Sequence, residues 1–168
     1  MANIVYGNIT VEDKYKAKLE EISKVGLCRY YIPMPKVLEN TDTVVKIVTQ
    51  KEYEEQMEKN KTEKEEARKA KPLTFDMHTN LVARTGYDNS YDWIVDNWGT
   101  KWGTKFENYE DGEYLFETAN SPVSGKIIEM LMKDIPTFTY HFVEENGWGA
   151  RYEIKDGKVI SSETKAED

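Results

Sequence analysis

The sequence predicts an α+β fold, a mostly antiparallel sheet with helices packed on one face, and three observations lead there. Runs with a hydrophobic period of two sit at both ends of the chain, in Ile4 to Thr10 and Thr137 to Val143. Runs with helical period lie between them, in Asp13 to Lys24 and from Pro122 to Asp134. Short Gly- and Asp-bearing turns join neighbouring strands as hairpins, which together with right-handed crossovers gives an antiparallel or mixed sheet.

The elements follow in order. Ile4 to Thr10 is a strand with Val5 and Ile9 on one face and Ile4 and Tyr6 on the other. In the helix Asp13 to Lys24, Tyr15, Leu19 and Ile22 form the buried stripe, and Gly26 ends it. Leu27 to Ile32 is an apolar run that reads as a second strand, closed by Pro33 and Pro35, and Cys28 within it reads as a buried small hydrophobe. Lys36 to Val48 is a connector. Residues 51 to 71 hold seven acidic and seven basic side chains with little apolar content beyond Tyr53, Met57 and Ala67. Glu55 with Lys59 and Glu65 with Lys69 stand in the favourable helical order, so Thr49 to Lys71 is expected to be an exposed charged helix, frayed near Asn60 and Thr62 and stopped by Pro72. A further short helix is expected over Leu73 to Tyr87.

The stretch from Ser90 to Gly103 holds three of the four tryptophans. Read as a helix capped by Ser90 and Gly99, it puts Tyr91, Ile94, Val95 and Trp98 on the core stripe and Trp93 on the polar side, to be covered by another segment or presented to a partner. Thr104 to Tyr109 and Glu113 to Ala119 flank a tight acidic turn as a hairpin, with Tyr114, Phe116 and Thr118 facing one way. After Pro122 a wide apolar stripe of Val123, Ile127, Ile128, Leu131 and Met132 marks a helix. Thr137 to Val143 presents Phe138, Tyr140 and Phe142 to one side, and Ala150 to Ile154 pairs back after a turn carrying Trp148. Ser161 to Asp168 is polar enough to be expected disordered. The order β, α, β, a helical excursion at about 49–86, then β, β, α, β, β describes one ferredoxin-like sandwich over residues 1–160 with an inserted charged helix.

Composition narrows the function. The 168 residues are enough for one domain with a real core, and 12% of them are aromatic. A formal charge of −8 argues against generic binding of a nucleic-acid backbone. One cysteine and two histidines, His78 and His141, cannot build a disulfide framework or a Cys/His zinc site, and no other metal or cofactor is expected. The sequence contains no secretory signal and no membrane-length apolar run, which makes the cytoplasm the expected compartment. No nucleophile stands with an activating base and an orienting group, so catalysis is not expected.

The run YDWIVDNWGTKWG, then LFETANSPV and GWGARYEIKDGK, resembles the Api92-like (YubB-like) family of phage and plasmid proteins. The matching positions are Tyr91 to Trp102, Phe116 to Pro122 and Gly147 to Tyr152, with NIVYGNITV similar to the opening strand. Gly103 departs from the family, which tends to an acidic residue there, and so does the charged helix. The resemblance implies a ferredoxin-like domain from a mobile element. Together with the acidic charge it leads to the expectation of a non-enzymatic protein that engages a host protein in the host cytoplasm, plausibly inhibiting a host defence system. The alternative is a small-ligand or nucleotide binder that stacks its ligand on the aromatic corner and sheet face. Trp93, Asn97, Lys101, Trp102 and Trp148 are the contact candidates.

Overall fold

The structure is a computed structural model that describes residues 2–39, 41, 45–60 and 71–166. The chain forms two compact units, Met1–Pro33 with Ile94–Asp168, and the inserted Met34–Trp93.

The first unit is built on a six-stranded sheet. Strand β1 (Ile4–Val11) pairs antiparallel with β5 (Glu113–Ala119) on one side and β6 (Phe138–Glu144) on the other. β4 (Lys105–Glu110) lies outside β5, while β7 (Gly149–Lys155) and β8 (Lys158–Lys165) continue the sheet beyond β6, giving the order β4-β5-β1-β6-β7-β8 with every neighbour antiparallel. Alternation produces one apolar face: Val5, Ile9, Tyr114, Phe116, Phe138, Tyr140, Phe142 and Ile154 are all buried. Gly7 pairs with Phe116 and Phe142, and a Cβ there would fall 2.3 Å from the Phe116 ring, so a ring occupies the space that a side chain on β1 would fill.

On that face lie α1 (Lys16–Val25), preceded by a 3-10 turn at Asp13–Tyr15, and α6 (Gly125–Asp134), capped by Ser124. Leu19 and Ile22 from α1 and Ile127 and Leu131 from α6 are fully buried, as the period predicts. Between them the apolar run LCRYY forms a short helix, α2 (Leu27–Tyr31), and not the expected second strand. A short apolar run has no period that separates the two states. Gly26 at φ 102° turns the chain, Leu27 and Cys28 pack inward, and the Tyr31 hydroxyl donates to Asp134 Oδ2 at 2.8 Å. Burial pushes the Cys28 thiol up to about 12, which keeps it protonated and inert.

Tyr114 links this helix to the sheet edge. Its buried hydroxyl accepts the Leu27 N–H at 3.2 Å and donates to Glu107 Oε1 at 2.5 Å. Tyr114→Phe removes both bonds and strands a buried N–H, so a loss of about 1–3 kcal/mol is expected in urea unfolding. A loss under about 0.5 kcal/mol, the range of an ordinary surface change, would show that the link carries no stability.

Two further readings differ at the chain's end and in the insertion. Ser161–Lys165, expected disordered, belongs to β8, because β7 supplies a ladder from Gly149↔Lys165 to Lys155↔Lys158 whatever the polarity of the strand. The insertion is wider than 49–86 and not purely helical. It holds β2 (Val45–Val48) paired parallel with β3 (Lys71–Thr74), with α3 (Gln50–Asn60) and α4 (Phe75–Thr85) following them. α3 bears no buried residue among those described, as its charge pattern predicts; the Glu65 and Lys69 pair, Ala67 and the fraying at Thr62 lie outside the described residues. Thr74 caps α4 by accepting the Met77 N–H at 3.2 Å, and Gly86 ends it in the left-handed region at φ 81°. Within this unit His78 Nε2 lies 3.2 Å from Asp88 Oδ2.

Candidate functional site

The tryptophan-rich stretch folds as α5 (Ser90–Trp98), but its buried arc differs from the expected one. Trp93 and Trp98 are buried, Ile94 and Asn97 partly so, whereas Tyr91 and Val95 are exposed. The inward side is therefore turned by about 80° from the predicted stripe, at 100° per residue. Trp93 lies inside and not on a presented face. The N-cap is Asn89, whose Oδ1 accepts the Asp92 N–H at 2.9 Å, one residue before the expected Ser90.

The segment after α5 is a structural corner. Gly99 (φ 75°) donates to Val95 O at 3.0 Å, Ser124 N–H donates to Trp98 O at 2.9 Å, and Lys101 N–H reaches Ala119 O at 3.3 Å. Buried Thr100 closes a turn by accepting the Gly103 N–H at 2.6 Å. Trp98 donates its indole N–H to Ile32 O at 2.8 Å, and the Arg29 guanidinium lies 5.2 Å from its ring centroid. Gly103 has φ 77°, and a Cβ there would fall 2.7 Å from Trp98 Cε3. Gly103 is thus required by the indole beside it.

The five contact candidates do not form one site. Trp93 is buried, Asn97 is half-buried and Lys101 is exposed. Trp102 is partly covered, and its ring carries the ammonium of Lys105 at 4.8 Å. Its indole N–H is buried without a hydrogen-bond partner. Trp148 lies apart, in the β6–β7 turn, edge-on to Phe142 at 6.0 Å. That turn is closed by buried Glu144, whose carboxylate accepts the Asn146 N–H at 2.6 Å.

Phe142, against which Trp148 lies, lines the feature that sequence reasoning missed. Beside α6, the apolar face of β6, β7 and β8 forms an open groove of about 410 Å³. Ile128 and Met132 of α6 make its wall, and Pro122 and Val123 lie along it. Tyr140, Phe142, Tyr152, Ile154 and Val159 line the sheet side. Tyr140 stacks on Tyr152 at 5.9 Å and 15°, and Phe142 lies 5.7 Å from Tyr140. The buried Tyr140 hydroxyl has no hydrogen-bond partner, and burial pushes its pKa upward. The signal was present in the wide stripe of α6: Ile127 and Leu131 fill the core, while Ile128 and Met132 face the groove. What hid it was β8, without which the strip beside α6 has no outer edge.

The volume falls within the range of specific small-molecule and cofactor sites. Among the described residues no group of three or more His, Cys, Asp or Glu side chains could hold a metal ion, and no helix is long and apolar enough to cross a membrane. Comparison with protein-family models, curated proteins and solved structures finds no match to this chain.

Proposed function

We propose that the protein acts by binding a partner protein in the groove along α6 and carries out no reaction of its own. In the setting implied by the resemblance to the Api92-like family, the partner is a host protein, and its capture inhibits or redirects a host process such as defence. The observation that carries this reading is an apolar groove beside a packed helix, floored by buried Tyr140, Phe142 and Ile154 and open at half-buried Ile128, Met132 and Tyr152 and exposed Val159. Support comes from the topology. β1, α1, β4, β5, α6 and β6 follow the βαββαβ order of a ferredoxin-like domain, and β7 and β8 widen that sheet past its two helices. Open apolar grooves of this kind are sites where partners bind.

Capture from host lysate tests the proposal, using the wild-type chain beside Met132→Glu, which places a charge in the groove wall. A protein held by the first and released by the second is expected. Recovery of nothing specific, or equal recovery by both, rejects the proposal.

The stacked Tyr140–Tyr152 pair and the unpartnered Tyr140 hydroxyl favour a second reading, a flat aromatic ligand such as a nucleobase. Trp148 beside Phe142 would report it. Tryptophan fluorescence that stays flat across a nucleotide panel removes this reading.

A further inference from the structure

We infer that the groove takes an amphipathic α-helix from a partner protein, laid alongside α6, with a lysine or arginine of that helix meeting Glu129. The inference rests on the groove being a protein-docking site and adds the shape and charge of what fills it.

Shape comes from the spacing of the sheet. Neighbouring strands lie about 4.8 Å apart, so β7 and β8 carry the sheet roughly 10 Å beyond β6, with Tyr152 and Ile154 of β7 and Val159 of β8 as its apolar part. That is the distance at which two packed helices lie side by side, 8–10 Å between axes. An extended strand laid on the same face would meet side chains only: the ladders on both sides of β7 are already paired, so its own N–H and C=O groups would stay unsatisfied. A helix satisfies those groups internally and presents an apolar stripe. α6 has ten residues, about 15 Å, and a docked helix of about 10–14 residues with apolar side chains at i, i+3 or i+4, and i+7 spans it.

Charge comes from the lining. Glu129 is the one charged residue among those that line the groove; it is exposed and makes no ion pair among the described residues. The chain as a whole carries −8. A cation on the partner helix gains from both, whereas an anion would be repelled by both.

Two fluorescein-labelled helical peptides of about 14 residues test this, with the same leucine stripe and either lysine or glutamate beside it. Methyl NMR signals of Ile128 and Met132 report occupancy, and the hydrophobic dye anilinonaphthalene sulfonate reports the groove independently. The lysine peptide is expected to bind, to move both signals, and to bind at least about 10-fold tighter than the glutamate peptide. Glu129→Gln, an exposed change that leaves the fold intact, is expected to weaken it by about 2–5-fold. If the dye moves the methyl signals and neither peptide does, the helix inference fails while the docking reading stands. If nothing moves them, both fail. Equal binding of the two peptides, unaltered in Glu129→Gln, overturns the charge assignment. Signals that move on the outer amides of β8 instead, or that shift with the concentration of the protein alone, assign the surface to a strand or to a second copy and overturn the inference.

Discussion

Trp98→Ala is expected to lower unfolding stability by about 3–5 kcal/mol, the range for removing a buried large aromatic. The indole is almost fully buried, so its loss opens a cavity that the corner cannot refill: Gly103 lies against one part of the ring and has no side chain to move in. The change also strands the Ile32 carbonyl, which accepts the indole N–H at 2.8 Å, and removes the cation-π partner of Arg29. For a chain of this length such a loss corresponds to a fall in Tm of roughly 6–20 °C. Trp98→Phe separates the terms, since it keeps most of the ring and loses the hydrogen bond; about 1–3 kcal/mol is expected from it. Thermal unfolding of both variants checks the pair. A loss under about 1 kcal/mol in Trp98→Ala would show that the corner does not hold the unit together.

Gly149→Val is expected to be as damaging by the opposite route. A Cβ at Gly149 would stand 2.2 Å from the Phe142 carbonyl oxygen and 3.0 Å from Val143 Cα, and both obstacles are backbone of the neighbouring strand. No side-chain rotation relieves the clash, so the β6–β7 ladder must part at its first pair, Val143↔Gly149. Overpacking commonly costs 1–3 kcal/mol where side chains can yield; about 3 kcal/mol or more is expected here, with the loss concentrated in β7 and β8. Hydrogen exchange should therefore quicken in Gly149–Lys155 and Lys158–Lys165 before it quickens in β1 and β5. Groove binding should fall with it, because β7 and β8 supply Tyr152, Ile154 and Val159. Unchanged exchange in those two strands would mean that the sheet accommodates the side chain and that the close approach is not a constraint.

The elements readable in the sequence are those whose local signal and tertiary environment agree. β1, β5 and β6 alternate apolar and polar residues because one face of each is buried, and the predicted inward residues are the ones that the structure buries. α1 and α6 keep their helical stripes for the same reason, and Gly26, Gly86 and Gly99 end helices where the period stops. Where the environment overrides the local signal, the reading slips. Polar β8 is a strand because β7 offers it a ladder, and Leu27–Tyr31 is a helix because Gly26 turns the chain into a space that two buried side chains fill. β2 and β3 are four-residue strands that exist only as each other's partner.

The sequence by itself determined the α+β class, the core faces of β1, β5, β6, α1 and α6, and the helix end at Gly99, since periodicity and glycine placement are local properties of a chain. It also showed a chain with too few cysteines and histidines for a disulfide framework or a Cys/His metal site. Only the tertiary structure decided that Trp93 turns inward, that Trp102 meets Lys105, and that Ile128, Met132, Tyr140 and Tyr152 share one groove. A helical stripe shows which residues are apolar, not which part of it a neighbour covers. The groove exists because two further strands extend the sheet past its helices, and that is a property of strand order.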